Sequence, residues 1–289
     1  MPALSAQSIV LIHGYNDSLM QAREAYASFL NPNYDQQRVR SLTPGAWSAY
    51  IDSLSGDTLD SISRWGEVCL VFWPADVWGG FSALAYVQEL KLAAASAPAL
   101  ASALLGLKRS PQPQIALVCH SMGNRLALQT LEVPNPSIPC RSMCLMAAAV
   151  AVQMVTGSAQ PYFWPSIAAI EKKRVLYSGS DKVLSMGFWI GEAAAGEGIR
   201  LEAIGHAGHP AYAFPDAEDM DPYGHGDYWA AIGDANGTTS RNLLLDFLST
   251  TMLPYPSTPK VEANPGPSAS SIASNAIGTR QIRGRSIGS

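Results

Sequence analysis

A chain of 289 residues with 47% apolar and 15% charged side chains is long enough to bury one large core, which excludes disorder over its main body. Its formal net charge of −4 lacks the basic footprint that phosphate backbones demand, so nucleic acid is not an expected partner. The opening MPALSAQSIVLIHG enters an apolar run without a basic n-region or a small-residue cleavage site, and the expected location is cytoplasmic.

In chain order, short apolar runs bounded by turn residues read as strands: SIVLIHG from Ser8, EVCLVFWP from Glu67, IALVCHS from Ile115, SMCLMAAAV from Ser142, RVLYSGSD from Arg174 and IRLEAIGH from Ile199. Uninterrupted apolar runs of this length suit strands covered on both faces, as in a parallel sheet between helices. Helical patterns lie between most of them. SLMQAREAYASFL follows Asp17 as a candidate N-cap; FSALAYVQELKLAAAS and NRLALQTLE come next; SRNLLLDFLSTTML carries Ser240 as a candidate cap. This alternation predicts an α/β three-layer sandwich with a mostly parallel central sheet flanked by helices.

Three connections interrupt the alternation: residues 33–66, 151–172 and 207–228. Long connections of this kind often form lids or mouths over a site. The tract LAAASAPALASALLGL, between Lys91 and Lys108, falls short of the ~20 residues of a membrane span and is broken by Pro98, so buried or cap-lining helices are expected and no transmembrane segment. The domain is expected over 1–253, with cap or loop insertions at about 33–66 and 151–172. Residues 254–289 form a Pro/Ser/Gly-rich tail expected to be disordered, with Arg280, Arg283 and Arg285 as solubilising charges. Cys69, Cys119, Cys140 and Cys144 sit mostly in apolar runs and read as reduced core residues; CRSMC matches no common zinc spacing.

The stretch IALVCHSMGNRLALQTL places Ser121 where a buried strand turns into a helix. A serine hydroxyl is a weak nucleophile at neutral pH; it needs a base, and the base needs a partner that holds its tautomer. Cys119-His120-Ser121-Met122-Gly123 follows the G-x-S-x-G corner with cysteine for the first glycine. The following helix offers the N–H of Met122 to a developing oxyanion, and Gly14 in LIHGYND lets the N–H of Tyr15 turn toward the same point. The His13 side chain reads as a buried histidine hydrogen-bonded to backbone. Asp181, at the tip of RVLYSGSDKVLS, is the preferred acid, with Asp216, Asp219 and Asp221 as rivals. His206, His209 and His225 are the candidate bases; His225 lies between glycines before the last helix, and spacing leaves His206 in contention.

Several motifs together narrow this choice. IHGYND at 12–17, FWPAD at 72–76, HSMGNR at 120–125, SGSDKVLS at 178–185 and GHGDYW at 224–229 resemble the α/β-hydrolase superfamily, and within it a bacterial group of hydrolase-like proteins of unknown function. The match spans most of residues 8–250 and departs from the pattern at Cys119 and in the 33–66 connection. The resemblance implies an α/β-hydrolase sandwich with Ser121 as nucleophile, Asp181 as acid, His225 as base, and Tyr15 and Met122 as oxyanion donors. The expected activity is esterase- or lipase-like hydrolysis of a small-molecule or lipid-like carboxylic ester through an acyl-enzyme, with no cofactor and no metal. Aromatics including Trp73, Trp78, Phe163, Trp164 and Trp189 suggest an apolar acyl or aryl pocket, with Trp73, Phe163 and Trp164 taken as substrate-binding. Two alternatives remain: a metal-dependent hydrolase built on His206, His209 and the acidic loop DAEDMDPYGHGD, and a non-catalytic binding module on the same fold.

Overall fold

The computed structural model describes residues 7–14, 18–31, 33–53, 61–75, 82–107, 114–134, 138–157, 161–199, 201–208, 210–231, 237–253 and 278–282. Its centre is a seven-stranded sheet in the order β6-β5-β4-β3-β1-β2-β7. Strands β1 (Gln7–Ile12), β2 (Glu67–Phe72), β3 (Gln114–His120), β4 (Cys140–Met146), β5 (Lys172–Tyr177) and β6 (Asp216–Asp219) run parallel. The apolar stretches of β1, β3 and β4 are buried at consecutive positions, as expected of strands covered on both faces. The chain moves outward from β1 to β2, then jumps back across β1 to β3. Beyond the carboxyl ends of β1 and β3 this reversal leaves a crevice, the usual place for a ligand in an open α/β sheet.

Helices cover the sheet in two groups. Before β2 come α1 (Leu19–Leu30), α2 (Gln36–Ser41) and α3 (Pro44–Ser53). Next are α4 (Ala83–Gly106), α5 (Met122–Leu131), α6 (Val152–Thr156) and α7 (Trp164–Ala169). The later helices are α8 (Trp189–Ala195), α9 (Ile204–Ala207), α10 (Asp227–Ala230) and α11 (Ser240–Thr251). A π-turn, Val183–Phe188, runs directly into α8. Helix α4 packs against α5 and α8, whereas α1 packs against α10, and α11 covers β4 and β5. Among the described residues, the 33–66 connection includes α2 and α3, and 151–172 includes α6 and α7.

Several boundaries differ from expectation. The α1 cap is Ser18: its hydroxyl accepts from the Gln21 N–H while the Gln21 side chain accepts from the Ser18 N–H, a reciprocal capping box. Asp17 lies outside the described residues. For α11 the cap is Thr239, whose side chain accepts from the Asn242 N–H; Ser240 is already helical and donates to the Tyr228 carbonyl. The fourth strand stops at Met146 because Ala147 adopts φ 43, turning the chain out of the sheet.

The described residues of IRLEAIGH form no strand. Ala203 makes one isolated bridge to Ala151, and a short helix then ends at Gly208 with φ 67. The sixth strand is instead DAED, held at the sheet edge because Arg174 lies opposite Asp216 and binds it at 2.7 Å. Within the tail expected to be disordered, β7 (Gly278–Ile282) pairs antiparallel with β2; extended pairing to an otherwise open edge accommodates its polar sequence, GTRQI. The tract around Pro98 is one helix, α4, whose buried residues include Leu90, Ala97, Leu100 and Leu104. No described helix is long and apolar enough to cross a membrane. All four cysteines are free thiols, and burial pushes Cys140 and Cys144 up to about 12.

Candidate active site

Ser121 occupies the N-cap of α5 yet makes no capping hydrogen bond with its side chain. An N-cap serine ordinarily satisfies an exposed helix N–H, so its hydroxyl is diverted here. The diversion has a backbone cause: Ser121 has φ 51 and ψ −125, a strained conformation for a residue with a Cβ. Surrounding bonds hold that strain. The Ser121 N–H donates to Met146 O at 3.0 Å, and its carbonyl accepts from the N–H groups of Asn124 and Ala149. The fully buried Asn124 carboxamide donates to the carbonyls of Ser121 and Met146, at 3.1 and 3.2 Å.

Two glycines allow the loop after β1 to reach this corner. A Cβ on Gly123 would lie 2.4 Å from the His13 carbonyl oxygen, and one on Gly14 would lie 2.8 Å from the Ser121 Cβ. Cys119, in place of the first glycine of the motif, is fully buried at the end of β3, and burial raises its thiol well above the ordinary value.

The Ser121 hydroxyl lies 2.8 Å from His225 Nε2, and His225 Nδ1 lies 2.7 Å from Asp181 Oδ2. These side chains follow β3, β6 and β5 respectively, so the sheet brings their carboxyl ends together. Asp181 is fully buried, and its Oδ1 accepts from the N–H groups of Val183 and Leu184, both at 3.0 Å. Burial pushes its carboxyl up, but the hydrogen bond and charge of His225, with the Leu184 amide, outweigh burial and hold it below the usual value. An ionised Asp181 requires the proton on His225 Nδ1, leaving the Nε2 lone pair to accept from Ser121 Oγ–H.

His120 adds a contact that sequence reasoning missed: its Nε2–H donates to the His225 carbonyl at 2.7 Å. The ring beside the serine thereby fixes the loop that carries the imidazole. Its signal was adjacency to Ser121, which says nothing of a partner 105 positions away.

The competing residues have other occupations. Asp216 binds Arg174; Asp219 accepts from the Asp221 N–H; Asp221 accepts from Ser178 Oγ and the Ser180 N–H. His206 stands 4.0 Å from Glu202, while His209 lies outside the described residues. Among the described residues, no cluster of three or more His, Cys, Asp or Glu side chains is arranged to hold a metal. His13 is buried with Nδ1 3.3 Å from the Gly14 carbonyl, and its Nε2 accepts from the Trp73 N–H.

Met122 is buried at the first position of α5, where a backbone N–H has no partner within the helix. Tyr15, the expected second donor, lies outside the described residues, as does Trp78. The aromatics expected to bind substrate are engaged elsewhere. Trp73 stacks on His13 and donates its indole N–H to the His13 carbonyl at 3.0 Å. Phe163 is buried beneath the Arg125 guanidinium, and Trp164 packs edge-on against Tyr212. None of the three lines the cavity at Ser121 or the groove that shares its walls; Trp73 and Phe163 are buried in the core, and Trp164 packs half-buried against it.

A parallel sheet with a strained serine between β3 and a helix, facing a histidine and a buried aspartate from later strands, is the arrangement of the α/β hydrolases. The profile of the family described as "Alpha/beta hydrolase of unknown function (DUF900)" matches residues 4–194, and the chain belongs to that family. No curated protein matches it significantly. Similar solved structures include a sugar hydrolase, YeeB, from Lactococcus lactis: 12% identity, TM-score 0.42, covering 86% of this chain and 91% of the other. Esterase PE8 matches at 15% identity and TM-score 0.37, over 87% and 97% of the two chains. Siderophore hydrolase EstB from Aspergillus fumigatus matches at 10% identity and TM-score 0.38, over 87% and 92%. At these scores the likenesses bear on neither substrate nor reaction; the family places the protein among the hydrolases.

Proposed function

We propose that the protein is a serine hydrolase that cleaves carboxylic esters through an acyl-enzyme, with Ser121 as nucleophile, His225 as base and Asp181 as the acid that orients it. The supporting observation is the relay from Ser121 Oγ to His225 Nε2 at 2.8 Å and from His225 Nδ1 to Asp181 at 2.7 Å, ending on a serine whose side chain caps nothing. In this reading His225 Nε2 takes the Ser121 proton as Oγ bonds to the ester carbonyl carbon. The carbonyl oxygen gains the negative charge and faces the N–H of Met122, with the N–H of Tyr15 as the proposed second donor. Collapse breaks the bond to the alkoxy oxygen, which leaves as the alcohol with the proton held by His225. Water then attacks the acyl-serine, again giving its proton to His225; the acid departs and Ser121 regains its hydrogen.

The substrate of this reading is a small-molecule or lipid-like ester, and the reaction needs neither cofactor nor metal. Ser121→Ala is expected to lower kcat on a short-chain nitrophenyl ester by about 10⁴-fold or more, since such a set of residues acts as a unit. Turnover is also expected to persist in a strong chelator. Loss of activity in the chelator, restored by a divalent ion, would favour the metal-dependent alternative.

A further inference from the structure

A crevice at Ser121 shares two wall residues with a larger groove. The crevice, of about 10 Å³, is walled by Tyr86, Met122, Ala149, Val183, Leu184 and Phe188, with His225 at its side. The groove, of about 340 Å³, lies between the first turn of α4 and the π-turn, walled mainly by Ala83, Tyr86, Val183, Met186, Gly187 and Ile190. Tyr86 and Val183 belong to both walls and form the neck between them. The outer wall reaches solvent at Met186, 59% exposed, and Ile190, 45% exposed.

The neck is built to hold one shape. The Tyr86 hydroxyl donates to Glu192 Oε1 at 2.5 Å, and the same oxygen accepts from Arg125 Nη1 at 2.9 Å. Arg125 lies on α5, one turn beyond Ser121, so the neck and the serine are tied to one helix. Phe188 meets the Tyr86 ring edge-on with centroids 6.3 Å apart. On its other side Gly191 touches the ring so closely that a Cβ there would lie 2.4 Å from it. A ring held at the hydroxyl, face and edge sets the width of the passage before any ligand arrives.

We propose that the groove is the acyl-side binding site and takes an unbranched medium-chain aliphatic acyl group, threaded from Ser121 between Tyr86 and Val183. This rests on the reading of Ser121 as the acyl acceptor. The crevice alone has room for little more than one water-sized group, so a longer acyl chain must leave it, and the neck opens into the groove. On the same measure the groove is about thirty times larger than the crevice, room for a chain of several methylenes. Its wall is apolar apart from Ser82 and Lys182 at the rim, which suits an uncharged chain.

The experiment measures kcat/KM of the full-length protein on nitrophenyl esters from C2 to C12. The expected profile rises about threefold to fourfold per methylene, as burial of each CH₂ predicts, peaks near C8 and then levels as the chain passes Ile190 into solvent. Ala83→Trp and Met186→Trp obstruct the groove from opposite walls at partly exposed positions, and each is expected to lower the C8:C2 ratio at least tenfold. Circular dichroism and thermal melting verify that both variants fold. Equal turnover of C2 and C8 by the parent, or an unchanged ratio in both folded variants, overturns the acyl groove and leaves the role of Ser121 standing. No hydrolysis of any ester, together with no labelling by a fluorophosphonate probe, overturns both.

Discussion

Two clusters of acids and bases hang from helix α5, one turn apart, and they are built differently. At the N-cap, Ser121 faces His225 and the buried Asp181. At Arg125, a guanidinium 1% exposed binds Glu192 at 2.9 Å and Glu197 at 2.5 Å, while Tyr86 donates to Glu192. Both are hydrogen-bonded relays. Only the first ends on a neutral hydroxyl held at positive φ that faces the lone pair of an imidazole. In the second, the guanidinium has no lone pair to accept a proton, and its N–H groups are taken by Glu192 and Glu197. Such a cluster fixes where α4, α5 and α8 meet. On the proposed reading, density of buried charge does not mark chemistry; strain and a lone pair facing a hydroxyl do.

Turnover should separate the clusters most. Asp181→Asn keeps an oxygen for the amides of Val183 and Leu184 but offers His225 the wrong partner for its Nδ1–H, so kcat is expected to fall about 10³- to 10⁴-fold. Steady-state kinetics on an acetyl ester measures this. A loss of tenfold or less would make the two clusters alike and remove Asp181 from the mechanism.

Stability should separate them in the opposite sense. Arg125→Met leaves Glu192 and Glu197 facing each other without their cation, and breaking a buried pair from one side costs about 3–5 kcal/mol. Urea unfolding is expected to show that loss, with kcat on the acetyl ester reduced far less than by Asp181→Asn. Unchanged stability would mean that the carboxylates find other partners.

The smallest effect is on pH dependence. Burial pushes the Glu192 carboxyl up; Arg125 opposes this and Glu197 adds to it, leaving a value of about 8. The unfolded chain loses this proton near the ordinary glutamate value, while the folded protein keeps it. The stability linked to this carboxyl is therefore full below about 4.5 and lost progressively as the pH rises to about 8. Asp181 works in reverse: its contribution is present above the ordinary aspartate value and lost as the pH falls through its lowered one. The melting temperature of Glu192→Gln is expected to vary less with pH than that of the parent between those limits, and parallel curves would remove Glu192 as the titrating group.

How much of this was legible in the sequence differs between the same two clusters. The HSMGN corner suits a structural turn as readily as a nucleophile; the apolar strand before it and the helical run after it supply the context the motif demands. Asp181 stands out by its place at the tip after a strand, whereas the resemblance selects His225 over His206 and His209. Arg125, Glu192 and Glu197 gave no signal, since charged residues on helices are ordinarily solvated and their meeting depends on how α5 and α8 pack.

Strand β6 hid for a related reason: Asp, Ala and Glu are poor strand formers, and Arg174, which holds the strand at Asp216, is 42 positions away. The α1 cap was legible but misassigned, because Ser18 and Gln21 spell a capping box one residue beyond Asp17. Trp73, Phe163 and Trp164 show the limit of composition. An aromatic side chain in the sequence does not say which space it fills.

The central claim is that Ser121 is a nucleophile activated by His225, and covalent labelling tests it most directly. The full-length protein is treated with a fluorophosphonate probe, digested and analysed by mass spectrometry. One phosphonylated peptide carrying Ser121 is expected, with no such adduct in Ser121→Ala and slower labelling in Asp181→Asn. Labelling of Ser121→Ala at the parent rate, or an adduct confined to another residue, would contradict it.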